Sequence, residues 1–231
     1  MVRARVILFD CGDTLVCLDP PKEKIVSDFL REEGVQVPLK EIKTAYRLVN
    51  FSSKQSIKTE NNPEAKRKFL MAYNGQLLKA LGLSLRGDLW AGKLHEKFRD
   101  CRRWVLLPDT ISTLQSLEEE GFILGVVANW DESLGNLLNG LGIGRFFRLV
   151  VSSRAINEEK PSPRIIEHAL RQLNSSPSEA MYVGNEYEVD VIAARRAGVK
   201  AILIDRDGFL PYADCLRFGS LSEMATYLRN Y

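Results

Sequence analysis

Arg5-Val6-Ile7-Leu8-Phe9-Asp10-Cys11-Gly12-Asp13-Thr14-Leu15 is the stretch whose reading decides the fold of this chain. Four successive apolar residues rich in strand formers suit a strand buried on both faces, which is the habit of a parallel sheet covered by helices. Such a strand delivers Asp10 into a glycine-containing turn at its carboxyl end, where open α/β sheets bind their ligands. Gly12 carries no side chain and lets the backbone come close to a bound anion or metal.

Outward from this strand, the pattern changes character twice. From Pro21 to about Arg103 apolar residues recur at helical spacing, as in Ile25-Phe29-Leu30, Ile42-Ala45-Leu48, Phe69-Leu70-Tyr73-Leu77-Leu78-Leu81 and Leu89-Leu94-Phe98, and no strand stands out. Residues 51–65 are polar and basic and read as a loop. After Trp104 the chain alternates helix and strand. The spacing predicts helices over 109–120, 133–141, 163–173, 187–197 and 221–228, and strands over 123–127, 149–152, 180–183 and 201–204. The expected architecture is α/β: a doubly wound parallel sheet built from residues 1–16 and 105–231, with a helical domain over 17–104 inserted after the first strand. Linkers near Cys17 to Pro21 and Arg102 to Pro108 would join the two.

Composition narrows the function classes. A chain of 231 residues with 45% hydrophobic content can bury a sizeable core. No apolar run approaches the roughly 20 residues that span a bilayer, and Met1 to Leu8 is too short for a secretory signal, so a cytoplasmic address is expected. Cys11, Cys17, Cys101 and Cys215 lack close pairing or metal-ligand spacing and read as free thiols in a reducing compartment. With His95 and His168 the only histidines, a His/Cys zinc site is not expected. The 32 basic and 30 acidic residues nearly cancel, which argues against a dedicated nucleic-acid binder.

The Asp10 segment resembles the first motif of the haloacid dehalogenase superfamily, apolar-Asp-x-Asp-Gly-Thr-Leu, and the resemblance extends along the whole chain. It implies a Rossmann-like core with a helical cap over 17–104. At the second motif, Ala128-Asn129-Trp130-Asp131 stands where the family places a phosphate-binding serine or threonine. Ala128 has no hydroxyl, which leaves the backbone N–H groups of Asn129 and Trp130 to hold phosphate oxygens. Glu159-Lys160-Pro161 is similar to the lysine motif, with Lys160 neutralising nucleophile and transferred group. Gly184-Asn185-Glu186-Tyr187-Glu188-Val189-Asp190 is similar to the metal motif Gly-Asp-x-x-x-x-Asp, with Asn185 in place of the first aspartate. Two residues after the nucleophile the family's phosphatases carry a second aspartate, and this chain carries Gly12, with Asp13 one position further on.

The resemblance implies a Mg²⁺-dependent phosphatase of a small phosphorylated metabolite, a monomer or homodimer, acting through an aspartyl-phosphate at Asp10. Mg²⁺ would take oxygens from Asp10, the Gly12 carbonyl and Asn185, with Asp190 or Glu186 acting directly or through water. Two other readings stay open: a family member that binds phosphate or a partner with little turnover, favoured by Gly12, Ala128 and Asn185, and a metal-independent 2-haloacid dehalogenase. Other residues are expected to be structural. Asp13 and Thr14 read as local turn hydrogen-bonders, Asp131 as a helix cap, and Glu186 and Glu188 as a solvated first helical turn. Trp104 and Trp130 read as structural or rim residues, with Trp130 lining the site as the alternative. Lys54, Lys58 and Arg86 are cations of a solvated surface by default.

Overall fold

The computed structural model describes residues 5–53, 63–84, 87–101 and 103–230. In chain order these form β1 (Val6–Phe9), β2 (Val16–Asp19), α1 (Lys22–Glu32), α2 (Leu39–Ser53), α3 (Pro63–Ala80), α4 (Gly87–Cys101), β3 (Arg103–Leu106), α5 (Thr110–Glu119), β4 (Ile123–Ala128) and α6 (Leu134–Gly140). There follow β5 (Phe147–Ser152), α7 (Ser153–Ile156), α8 (Arg164–Gln172), β6 (Ala180–Gly184), a π-helical turn (Tyr187–Val191), α9 (Ile192–Arg196), β7 (Lys200–Ile204), β8 (Leu216–Phe218) and α10 (Leu221–Arg229). Among the described residues no helix is long and apolar enough to cross a membrane.

The chain divides into two compact units, one of residues 1–17 and 104–231, the other Leu18–Arg103. In the first unit six parallel strands lie in the order β5-β4-β1-β6-β7-β8. All four residues of β1 are buried, because β4 pairs on one side and β6 on the other: Phe9 lies opposite both Val126 and Val183. Alternate residues then serve opposite faces. Ile7 and Phe9 pack with Leu114, Leu117, Leu138 and Met224 under α5, α6 and α10, whereas Val6 and Leu8 pack with Ile165, Ile166, Ala169 and Ala193 under α8 and α9. The chain winds from β1 toward β4 and β5, then returns to the far side for β6 onward. β1 is therefore the switch point, and its carboxyl end opens at the crevice where such sheets hold ligands.

The second unit is helical. Val26, Phe29, Leu30, Ile42, Ala45, Leu77, Leu78, Trp90 and Leu94 of α1 to α4 form its core, with Phe29 set edge-on to Trp90 at 5.9 Å. Lys93 and Lys97 of α4 pair with Glu33 and Glu32 at the end of α1.

The doubly wound sheet expected from the alternation is present, with three departures. β2 and β3, read as turn and linker, pair with each other as a two-stranded ribbon. β8 extends the sheet edge beyond β7, and its three residues are too short a run for periodicity to register. The segment predicted as one helix over 187–197 begins as a π-turn and becomes α-helical only at Ile192. Of the polar loop expected over 51–65, Ser53 ends α2 and Pro63 begins α3, while residues 54–62 lie outside the described residues.

Candidate active site

Asp10 is placed by the sheet: its backbone N–H donates to the Val183 carbonyl at 2.8 Å, which extends the β1–β6 ladder by one residue. The chain then folds back sharply. The N–H groups of Leu15 and Val16 donate to the Cys11 carbonyl at 2.9 and 3.1 Å, and that of Asp13 donates to the Val16 carbonyl at 2.6 Å. The left-handed residue of this turn is Asp13, with φ of 56°, a conformation aspartate tolerates better than most residues. Gly12 serves a different need. A Cβ there would sit 3.5 Å from Cζ3 of Trp130, an ordinary contact, so the indole ring occupies the space beyond it.

Lys160 is buried at the centre of the site. Its ammonium donates to Asp10 Oδ1 at 2.7 Å, to Asp190 Oδ1 at 2.6 Å and to the Tyr182 hydroxyl at 2.7 Å, which uses all three of its protons. The Tyr182 hydroxyl in turn donates to the Val127 carbonyl at 2.6 Å, so β4 and β6 jointly fix the direction of one lysine bond. Two devices hold this arrangement. Asn129 grips the Lys160 backbone with both ends of its amide, accepting from the N–H at 2.8 Å and donating to the carbonyl at 2.9 Å. The π-turn brings Asp190 back over Gly184, where a Cβ would lie 2.4 Å from the Asp190 carboxyl carbon; only glycine allows the approach. Asp190 Oδ2 accepts from the Glu186 N–H at 2.9 Å, so both of its oxygens are engaged.

One ammonium lies between two carboxylates, of which Asp190 is buried and Asp10 only partly so. Burial pushes the Asp10 carboxyl up to about 7; Lys160 opposes the rise and Asp190 adds to it. Burial works against the Lys160 charge as well, but Asp10 and Asp190 outweigh it and hold the ammonium well above the usual lysine value. Burial also raises the Tyr182 hydroxyl and the Cys11 thiol, so both stay protonated.

Thr14 makes the local contact expected of the turn and a distant one besides: its buried hydroxyl lies 3.3 Å from Asp10 Oδ2, four residues back, and 3.2 Å from Asn185 Oδ1, a residue 171 positions away. A hydroxyl has one proton to share between these oxygens.

The second-motif residues divide. Ala128 is the buried last residue of β4 and offers only its backbone. The Trp130 N–H, expected to face phosphate, donates instead to Ser153 Oγ at 3.2 Å. Asp131, expected as a helix cap, accepts from the Ser133 N–H at 3.0 Å in the turn before α6, whose N-cap is Ser133 and carries no side-chain cap bond. Tyr182 was not among the sequence candidates, although a tyrosine inside an apolar strand signals a hydroxyl in need of a partner. Lys54, Lys58 and Arg86 lie outside the described residues.

The donor set for a metal is small. Asp10 Oδ2 and Asn185 Oδ1 converge on Thr14, and both are hard oxygen donors suited to Mg²⁺. Among the described residues no group of three His, Cys, Asp or Glu side chains is gathered as a metal cluster. The oxygens present fit a hard cation, with a single carboxylate charge to hold it.

A family model described as haloacid dehalogenase-like hydrolase matches residues 7–204. The chain is 33% identical over 223 residues to a glyceraldehyde 3-phosphate phosphatase of Methanopyrus kandleri, covering 89% of this chain and 85% of that protein. It is 27% identical over 222 residues to haloacid dehalogenase-like hydrolase domain-containing protein 3 of Danio rerio, covering 92% and 90%. Among solved structures it resembles a 2-haloacid dehalogenase from Pseudomonas syringae at 25% identity and a TM-score of 0.59, covering 98% of this chain and 99% of that one.

Proposed function

The chain belongs to the haloacid dehalogenase-like hydrolases, and on that premise we propose that it is a phosphatase of small phosphate monoesters with Asp10 as nucleophile. One observation carries the reading. Lys160 occupies Asp10 Oδ1 and leaves Oδ2, beside Thr14 and Asn185, as the oxygen that attacks. In the first step Oδ2 bonds to phosphorus and the bond to the leaving oxygen breaks, the departing anion taking a proton from water. In the second, water attacks the phosphorus of the acyl phosphate and releases inorganic phosphate and the Asp10 carboxylate. Lys160 stabilises charge through both steps, held from behind by Asp190 and Tyr182. The Asp10 carboxylate and Asn185 Oδ1 would hold Mg²⁺, with the Gly12 carbonyl the further ligand expected of the family. The ion supplies positive charge against the phosphate oxygens. Similarity to an archaeal protein named a glyceraldehyde 3-phosphate phosphatase supports the substrate class.

The test is hydrolysis of p-nitrophenyl phosphate by the purified protein with and without Mg²⁺, beside Asp10→Asn prepared identically. Turnover is expected to fall at least about 10³-fold in the variant and to be lost in chelator. Equal rates in wild type and variant reject Asp10 as nucleophile. Halide release from 2-haloacids in chelator, without phosphate release, would instead assign the same aspartate to attack on carbon.

A further inference from the structure

Building on the phosphatase reading, we propose that Trp130, backed by Trp104, is a leaving-group wall that makes phosphate monoesters of phenols the preferred substrate class. Two independent observations converge on it. The first is chemical. A side chain two residues after the nucleophile is the family's source of the proton for the departing oxygen, and Gly12 supplies none. Esters whose leaving oxygen is a stable anion without protonation lose least by that absence, and among common monoesters those are the aryl esters.

The second observation is geometric. The Trp130 ring borders the space that a side chain at position 12 would enter, at an ordinary contact distance of 3.5 Å from the Cβ position of Gly12. Trp104 packs against Trp130 at a centroid distance of 4.8 Å and an interplanar angle of 57°, which sets the ring in place. Both indoles are only partly buried against the core of the first unit. Trp130 is reached from β4 and Gly12 from β1, so the ring stands at the same sheet edge as Asp10. A flat apolar surface beside the departing oxygen attracts a flat apolar leaving group through offset or edge-to-face contact, worth about ten-fold in a rate or binding ratio.

The experiment separates the ring contact from leaving-group acidity. Phenyl phosphate is compared with hexafluoroisopropyl phosphate, a non-aromatic ester of similar leaving-group acidity, by kcat/KM in the Mg²⁺-loaded protein. The phenyl ester is expected to be favoured about ten-fold or more. Trp130→Leu should bring the ratio to within about two-fold, and Trp130→Phe, which restores a flat ring, should recover most of it. Should Trp130→Leu fail to fold, the wild-type affinities for phenylphosphonate and cyclohexylphosphonate decide, since these differ in flatness at similar size; the proposal requires the phenyl compound to bind several-fold tighter. A wild-type ratio near one, or a ratio insensitive to Trp130→Leu, overturns the wall and leaves the phosphatase reading standing. No turnover of either ester and no phosphonate binding removes the phosphatase reading itself, and the wall with it.

Discussion

On the side of Asp10 that faces Lys160, charge is met by charge and each lysine proton has a partner: two carboxylates and a tyrosine hydroxyl, drawn from three places in the chain. On the side of the turn that follows Asp10, the residue expected to carry a proton is Gly12, and an indole stands over it. The two sides teach that electrostatic stabilisation and proton transfer are separable components of such a site. A lysine and its supports are retained here within a buried network, whereas the acid position has been given over to an apolar contact. Each side can be broken without touching the other.

The largest effect is expected at Lys160. Lys160→Met leaves Asp10 and Asp190 facing one another in a buried space with no cation, a change expected to cost about 3–5 kcal/mol of stability above pH 7. The loss should shrink below pH 7 as Asp10 takes up a proton, and denaturant unfolding across pH would measure it. A uniform loss at all pH values would show that the lysine acts through packing alone.

A smaller effect follows from Asp10 itself. Its carboxyl titrates near 7 in the folded protein, above the ordinary value of 3.8 that serves for the unfolded chain. The folded state therefore holds the extra proton between these pH values, and stability falls as pH rises from about 4 to about 7, then levels off. Asp10→Asn has no such proton to lose. In the absence of divalent cations its Tm at pH 8 should exceed that of the wild type by at least about 3 °C, on the order of 1 kcal/mol, and the difference should fade toward pH 4. Parallel pH profiles for the two proteins would reject a strained carboxylate.

The last effect is expected at Tyr182. Tyr182→Phe removes an acceptor from Lys160 and a donor from the Val127 carbonyl while keeping the ring, for a loss of about 1–3 kcal/mol. If the hydroxyl also aims the ammonium, kcat should fall more than KM changes, and the paired measurement distinguishes aim from stability.

The reading of β1, of the strand and helix order after Trp104, and of Asp10 with Lys160 came from patterns that are local: an apolar run, a period, a short motif at a strand end. The departures share a different origin. Thr14 was read as a turn residue because its neighbours in sequence make a turn, yet its hydroxyl meets Asn185 across 171 positions. The Trp130 N–H looked available for phosphate until Ser153 was brought beside it by the β4–β5 pairing that sets Ala128 opposite Ser152. Asn129 gave no sign that its amide would hold the Lys160 backbone.

By itself, then, the sequence determined that a buried parallel strand ends in a carboxylate, that helices and strands alternate behind it, and that a basic residue and a second acid follow at later strand ends. Those properties are carried by residues near one another in the chain, where periodicity and turn chemistry act. Only the tertiary structure decided which polar groups share protons, where the π-turn returns Asp190, and that an indole fills the place opposite Gly12. Packing of the sheet edge brings those groups together from distant segments, and no local pattern encodes their distances.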